Sequence, residues 1–244
     1  MASIVPVLRR HFRFTKAEVE NVLIMILAFS FILGFDDGRD TFNAALWIAN
    51  FLGCLVIASL SVLIHVCSQK AFGILNGIRT EQQLSWYGIG VGLIIAFVTR
   101  GAVQVYLPGS FKAYPISTGR IGRFRHGLNP ATIGGVALMG PVANVVAAMF
   151  SKFLLFQVFG IEWVWLDRFI MFNFLFALYS MLPLPGQTGL LVFFGSRLWY
   201  SFGFGTLLGY VILFELGILS LFGALAIGAI VWMVYYVFFE RKVW

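Results

Sequence analysis

The sequence predicts an all-α polytopic membrane protein of about six transmembrane helices, and three observations carry that prediction. Hydrophobic residues make up 60% of the 244-residue chain and charged residues only 11%. Several apolar runs approach or exceed the roughly 20 residues a helix needs to cross a bilayer. The Lys and Arg residues fall in short segments between those runs, without an interleaved aromatic groove, so the formal charge of +7 reads as topogenic and excludes nucleic acid as a partner. Spanning segments leave no room for a sizeable soluble domain, which makes membrane lipids and other transmembrane proteins the expected partners.

The N-terminal MASIVPVLRRHFRF has no apolar core ahead of its basic residues and reads as no removable signal. A first span covers Val22 to Phe35, in a helix beginning near Thr15 with Glu18 and Glu20 in its first turns. After the polar turn FDDGRDT, a second span runs from Ala44 to Val66, and the chain turns polar from Cys67 to Arg79. Cys54 and Cys67 lie within or beside that one helix and cannot bridge each other. Leu84 to Thr99 is marginal in length and carries three glycines, so it reads as a re-entrant or interfacial piece. Residues 100–131 form the main extramembrane loop. Thr132 to Phe159 is a third span, and a fourth begins at Asp167 and ends at Leu182-Pro183-Leu184-Pro185. Phe202 to Phe239 is too long for one span and predicts a hairpin of two helices turning near Gly217 to Gly223.

Three regions follow: an N-terminal segment 1–20, a membrane core 21–200 with its loop 100–131, and a C-terminal transmembrane hairpin 201–244. If Leu84 to Thr99 does not cross, every basic segment lands on one side, which puts both termini and the loop at the cytoplasmic face of the plasma membrane. The Lys70 to Arg125 stretch alone supplies seven basic residues against Glu81.

Function has to come from local constellations. His65-Val66-Cys67-Ser68-Gln69 stands where a zinc metalloprotease carries His-Glu-x-x-His, two imidazoles one helical turn apart with a Glu as general base. Gly140-Pro141-Val142-Ala143-Asn144 follows, and then Leu182-Pro183-Leu184-Pro185-Gly186-Gln187-Thr188-Gly189. In this order and spacing the three segments resemble the site-2 protease family of intramembrane zinc metalloproteases, in its archaeal form, over roughly residues 15 to 200. The resemblance implies a site-2-protease-like core. It also implies zinc ligands at His65, Gln69 and Thr188 and the general base at Val66.

Only His65 is of the implied type. Glutamine and threonine offer neutral donors and valine moves no proton, so the resemblance predicts a degenerate site, no resident metal or other cofactor, and no enzyme activity. A substitute ligand at Cys67 is disfavoured because helical positions i and i+2 point about 200° apart, and His126 would have to fold back from the loop. The expected function is that of a pseudoprotease: a membrane scaffold, client-binding factor or structural subunit of a larger complex. Gly140, Pro141, Asn144, Pro183, Pro185 and Gly189 would serve helix packing or client binding. The alternatives are an active intramembrane metalloprotease with atypical ligands and a transporter or ion conduit; for the latter there is no convincing internal repeat. Glu215, in the last apolar run, reads as hydrated near a membrane face, with a subunit contact or proton handling as its other readings. Asn144 and Asn173 read as interhelical hydrogen-bonding groups, and Trp163, Trp165, Trp199 and Trp244 as interfacial anchors.

Overall fold

Short polar side chains set where the helices begin. The computed structural model describes residues 4–36, 38–39, 43–116, 128–153, 159–160, 163–213 and 219–240. After a short helix α1 (Ile4–His11), Thr15 opens α2 (Lys16–Leu33) through a capping box, its hydroxyl accepting from the Glu18 amide while Glu18 reaches back to the Thr15 amide. Asn43 caps α3 (Ala44–Leu75), and Asn129 caps α5 (Pro130–Phe150), whose first residue is a proline that needs no hydrogen-bond partner there.

Helix α3 is 32 residues long, about 48 Å at 1.5 Å per residue. It therefore does not end at Val66 as its composition predicts. The polar residues after Val66 are helical positions with partners: Ser68 bonds back to the Ile64 carbonyl at 2.6 Å, and Gln69 and Lys70 reach buried groups on other elements. A run of polar letters marks a turn only when those groups need water, and here the protein satisfies them.

The all-α expectation is corrected by a two-stranded antiparallel sheet. Strand β1 (Ile78–Leu84) pairs with β2 (Gly109–Pro115) in a register that sets Ile78 opposite Pro115 and Leu84 opposite Gly109. In β1 the side chains of Ile78, Thr80 and Gln82 are buried and those between them are not, so the period of two exists in the fold. It is invisible in IRTEQQL because two of the three buried residues are polar. Between the strands lies α4 (Trp86–Val98), 13 residues or about 20 Å, short of the ~30 Å hydrocarbon core.

The chain continues through α6 (Val164–Ser180), a short α7 (Thr188–Gly195) that composition does not announce, α8 (Arg197–Ile212) and α9 (Leu219–Tyr235). Helices α8 and α9 pack against each other, with Gly205 and Gly209 of α8 against Val231 and Ile227 of α9. Six spans are not found. Among the described residues three helices are long and apolar enough to cross a membrane: Ala44–Leu75, Pro130–Phe153 and Ser220–Glu240. Helix α2 carries Lys16, Glu18 and Glu20 within its 18 residues, and α6 and α8 have only 17 and 16.

Helix α6 is the hub. Phe172 and Phe176 join the core made by α2, α3 and Tyr106; Ala177 joins a second core with Ile78, Phe111 and Val136; Ile170 and Phe174 join a third with Ala148, Tyr210 and Ala224. A helix apolar around its whole circumference is a buried helix, and this one is enclosed by protein on several sides. Trp165 works in the same way. Its indole fills the space over Gly53 of α3, where a Cβ would collide with the ring, so it is an interhelical wedge rather than an anchor. The expectations on Asp37, Asp40, Arg120, Arg123, Arg125, His126, Glu215 and Trp244 lie outside the described residues.

Candidate functional site

The centre of the molecule is built on a missing hydrogen bond. Pro141 lies inside α5 and has no N–H, so the carbonyl four residues earlier, that of Ala137, lacks its helical donor. Gln69 of α3 supplies one, its Nε2 donating to Ala137 O at 3.1 Å. Side-chain replacement of this kind is how a proline is tolerated inside a membrane helix. The same amide nitrogen stands 3.2 Å from Nε2 of His65, one turn earlier on α3.

These contacts settle the protonation pattern. The Ala137 carbonyl can only accept, so it fixes Gln69 with its NH₂ toward this corner, and the second N–H of that group meets the lone pair on His65 Nε2. His65 is thereby the neutral tautomer with its proton on Nδ1. Asn144 adjoins the ring. Its Oδ1 and His65 Nδ1 are both buried with no hydrogen-bond partner. Phe176 packs against the imidazole with ring centroids 4.9 Å apart.

Gly140 explains how α5 comes so close. A Cβ at that position would lie 2.5 Å from His65 Nε2 and 2.7 Å from Gln69 Nε2. One turn further on, Asn144 Nδ2 donates to Ser61 O at 3.3 Å and to Asn173 Oδ1 at 3.0 Å, while Asn173 Nδ2 donates to Ser61 Oγ and to Phe169 O, each at 2.8 Å. The glycine, proline and asparagine of one motif thus give room, free a carbonyl and tie α3, α5 and α6 together. Val66, only 3% exposed, faces the aliphatic and aromatic core around Phe29 and Phe172.

The remaining predicted residues serve a second corner. Pro183 and Pro185 are exposed in the turn that leads into α7, and Gly189 packs directly on the Met181 carbonyl. Gln187 and Thr188 grip the first residue of β2: Gly109 N donates to Gln187 Oε1 at 3.0 Å, and Thr188 Oγ1 donates to Gly109 O at 3.0 Å. Gly109 has φ +101°, and a Cβ there would run into the Gln83 carbonyl, so only glycine fits. The Thr188 hydroxyl is therefore committed to β2 rather than to His65.

A third cluster has no counterpart in the sequence reading. Lys70, one residue after Gln69, forms a fully buried ion pair with Glu18 at 2.7 Å. Its other donors go to the carbonyls of Arg13 at 3.0 Å and Thr80 at 3.2 Å, with the Phe14 ring 4.5 Å away. The remaining Glu18 oxygen accepts from the Gln82 amide at 3.3 Å, and Asn21 Nδ2 donates to Gln82 O at 3.0 Å. The pair fastens β1 to the start of α2 and the C-terminal part of α3. The only trace in the sequence is a lysine where the second span ought to be leaving the membrane.

These donors do not fit a zinc ion. Zinc sites gather three or more imidazole, thiolate or carboxylate donors with free lone pairs. Here the imidazole lone pair already accepts from Gln69, the glutamine presents N–H groups inward, and Thr188 donates elsewhere. Among the described residues no three His, Cys, Asp or Glu side chains gather as metal ligands.

No protein-family model matches the chain, and no solved structure matches it. A curated protein of Methanocaldococcus jannaschii named "Putative zinc metalloprotease MJ0611" is 27% identical over 181 residues, covering 73% of this chain and 84% of that one. The likeness is consistent with a distant metalloprotease family. It overturns the expectation that the chain is no enzyme, because the relative's name points toward one, even though the donors at His65 do not suit that enzyme's metal.

Proposed function

We propose that the chain is a client-binding membrane protein on a site-2-protease-like plan, a scaffold or subunit that holds an extended segment of another membrane protein along the outer edge of β2, beside the His65 and Gln69 centre. One observation carries this reading: the direction in which the β2 backbone points. The Gly109 amide turns away from β1 to Gln187, and the Ile116 amide turns toward β1 to the Gly77 carbonyl at 2.9 Å. Alternation along a strand then aims the N–H and C=O groups of Phe111 and Ala113 outward, as a template for one more strand. The Phe111 side chain meanwhile packs in the same core as Ala137, whose carbonyl completes the Gln69 site.

A photo-crosslinking residue at Ala113 should capture the client in native membranes, and the adduct should vanish when Gly109→Ala displaces β2. Equal capture from Val91 of α4, an apolar position exposed on the protein surface, would reduce the adduct to chance proximity and overturn the reading. The name of the archaeal relative favours a second reading, in which the held segment is also cut. Client fragments that appear with the wild type and not with His65→Ala would establish that reading.

Both termini and residues 100–131 belong, on this proposal, at the cytoplasmic face of the plasma membrane, and the distribution of Lys and Arg supports it. An impermeant thiol reagent should label cysteines placed at positions 2 and 120 in inside-out vesicles only. Labelling from the outside would reverse the assignment.

A further inference from the structure

Strand β2 offers only a short stretch of free edge, because both of its ends are closed. The sheet has two strands, so the side of β2 away from β1 has no neighbouring strand. At one end the Gly109 amide donates to Gln187 and the Gly109 carbonyl accepts from Thr188. At the other end Pro115 falls on an outward-facing position and has no N–H to give. Between them the N–H and C=O groups of Phe111 and Ala113 face outward, and among the described residues no backbone group meets them across that edge.

Lys112 stands midway between these two residues. Its own amide and carbonyl face β1, opposite Glu81, and its side chain is exposed on the face of the sheet away from the buried Phe111. The carboxylate across from it is already engaged, with Glu81 Oε1 lying 3.2 Å from Nη2 of Arg79. Among the described residues Lys112 forms no ion pair. That face thus carries Arg79, Glu81 and Lys112 and is net positive. Spacing also favours an incoming strand over β1. Opposed residues of an antiparallel ladder alternate between hydrogen-bonded pairs, with Cα atoms ~5.5 Å apart, and non-hydrogen-bonded pairs at ~4.5 Å. Lys112 and Glu81 make a pair of the first kind. A residue set against Lys112 on an added strand makes one of the second, closer kind, because the outward hydrogen bonds belong to Phe111 and Ala113.

We infer, on the reading that a client adds a strand here, that the edge selects an extended client segment with a carboxylate at the residue opposite Lys112. Hydrogen bonds to Phe111 and Ala113 hold the two client residues on either side of it for any side chain but proline, so they carry affinity without selecting a sequence. The Lys112 ammonium adds the selection: Asp or Glu between them gains a charge pair, and Lys or Arg meets repulsion.

Five-residue probes test this on the full chain in phosphatidylcholine nanodiscs. Acetylated Thr-Val-Xaa-Val-Thr peptides, with photo-leucine in place of one valine, carry Glu, Gln or Lys at the centre. Half-maximal capture on β2, located by mass spectrometry of the adduct, should need about threefold less of the Glu peptide than of the Gln peptide, the worth of one cross-strand charge pair. The Lys peptide should need the most. Lys112→Gln should bring the three together and Lys112→Glu should reverse their order, both at an exposed side chain. In about 0.5 M salt the preference should fade while capture persists. Equal capture of the three peptides on β2 by the wild type would overturn the inference and leave strand addition standing. Adducts that fall elsewhere on the chain, or that form as well with Gly109→Ala, would remove strand addition and the inference with it.

Discussion

At the scale of single residues, Gln69 and Lys70 do work that the sequence does not assign to them. Gln69 replaces the N–H that Pro141 lacks, so Gln69→Ala should leave the Ala137 carbonyl buried and unpaired, at a cost of about 1–3 kcal/mol. In a Pro141→Ala background the helix regains its own donor, and the cost of Gln69→Ala should fall by roughly 1 kcal/mol. Denaturation of the four members of that cycle in detergent measures the coupling; a cost that is the same in both backgrounds would refute the replacement. Lys70→Met strands the Glu18 carboxylate in the interior and should cost ~3–5 kcal/mol, whereas Lys70→Met with Glu18→Leu should recover a large part of it. Thermal melts of the single and double variants read this directly. The motif residues were legible one by one, since glycine, proline and asparagine each have a recognisable use in a packed helix. The ion pair was not, because its partners lie 52 positions apart and each charge alone looks like the end of a span.

Elements show a different mixture. A cap announces α2, where Thr15 acts within three residues of itself, whereas Asn43 and Asn129, which cap α3 and α5 in the same way, went unread. The strands were unreadable because their buried face includes the polar Thr80 and Gln82, and β1 is held through its backbone, the Gln82 amide donating to Glu18 of α2 and the Thr80 carbonyl accepting from Lys70 of α3. Two substitutions test how elements are placed. Gly140→Ala pushes α5 off His65 and Gln69 and should lower stability by about 1–3 kcal/mol. Gly109→Ala asks an ordinary residue to adopt φ +101° against the Gln83 carbonyl. It should loosen β2 and speed hydrogen exchange at the Lys112 and Tyr114 amides, which face β1, while amides of the α6 core keep their protection. Uniform loss of protection would show that β2 is not held separately by Gln187 and Thr188.

Across the whole molecule, the apolar exterior is the strongest statement. Only 11% of the apolar window in Ser220–Glu240 is buried, and Phe222, Ile230, Met233 and Phe238 all face outward; a water-soluble protein does not leave such a surface bare. The chain should therefore stay in the membrane pellet after an alkaline carbonate wash, and release into the supernatant would contradict the fold as a membrane structure. That property was determined by the letters alone, because hydrophobicity is additive along a chain and a lipid-facing helix needs no partner to declare itself. What only tertiary structure decided is which polar groups are satisfied and by whom: that Gln69 completes α5, that Thr188 grips β2, that Lys70 stays inside, and that among the described residues three helices rather than six have the length and composition of a span. Each of these depends on partners brought together from distant parts of the chain, and a hydrogen bond or ion pair is worth its free energy only at contact distance, which local sequence does not encode.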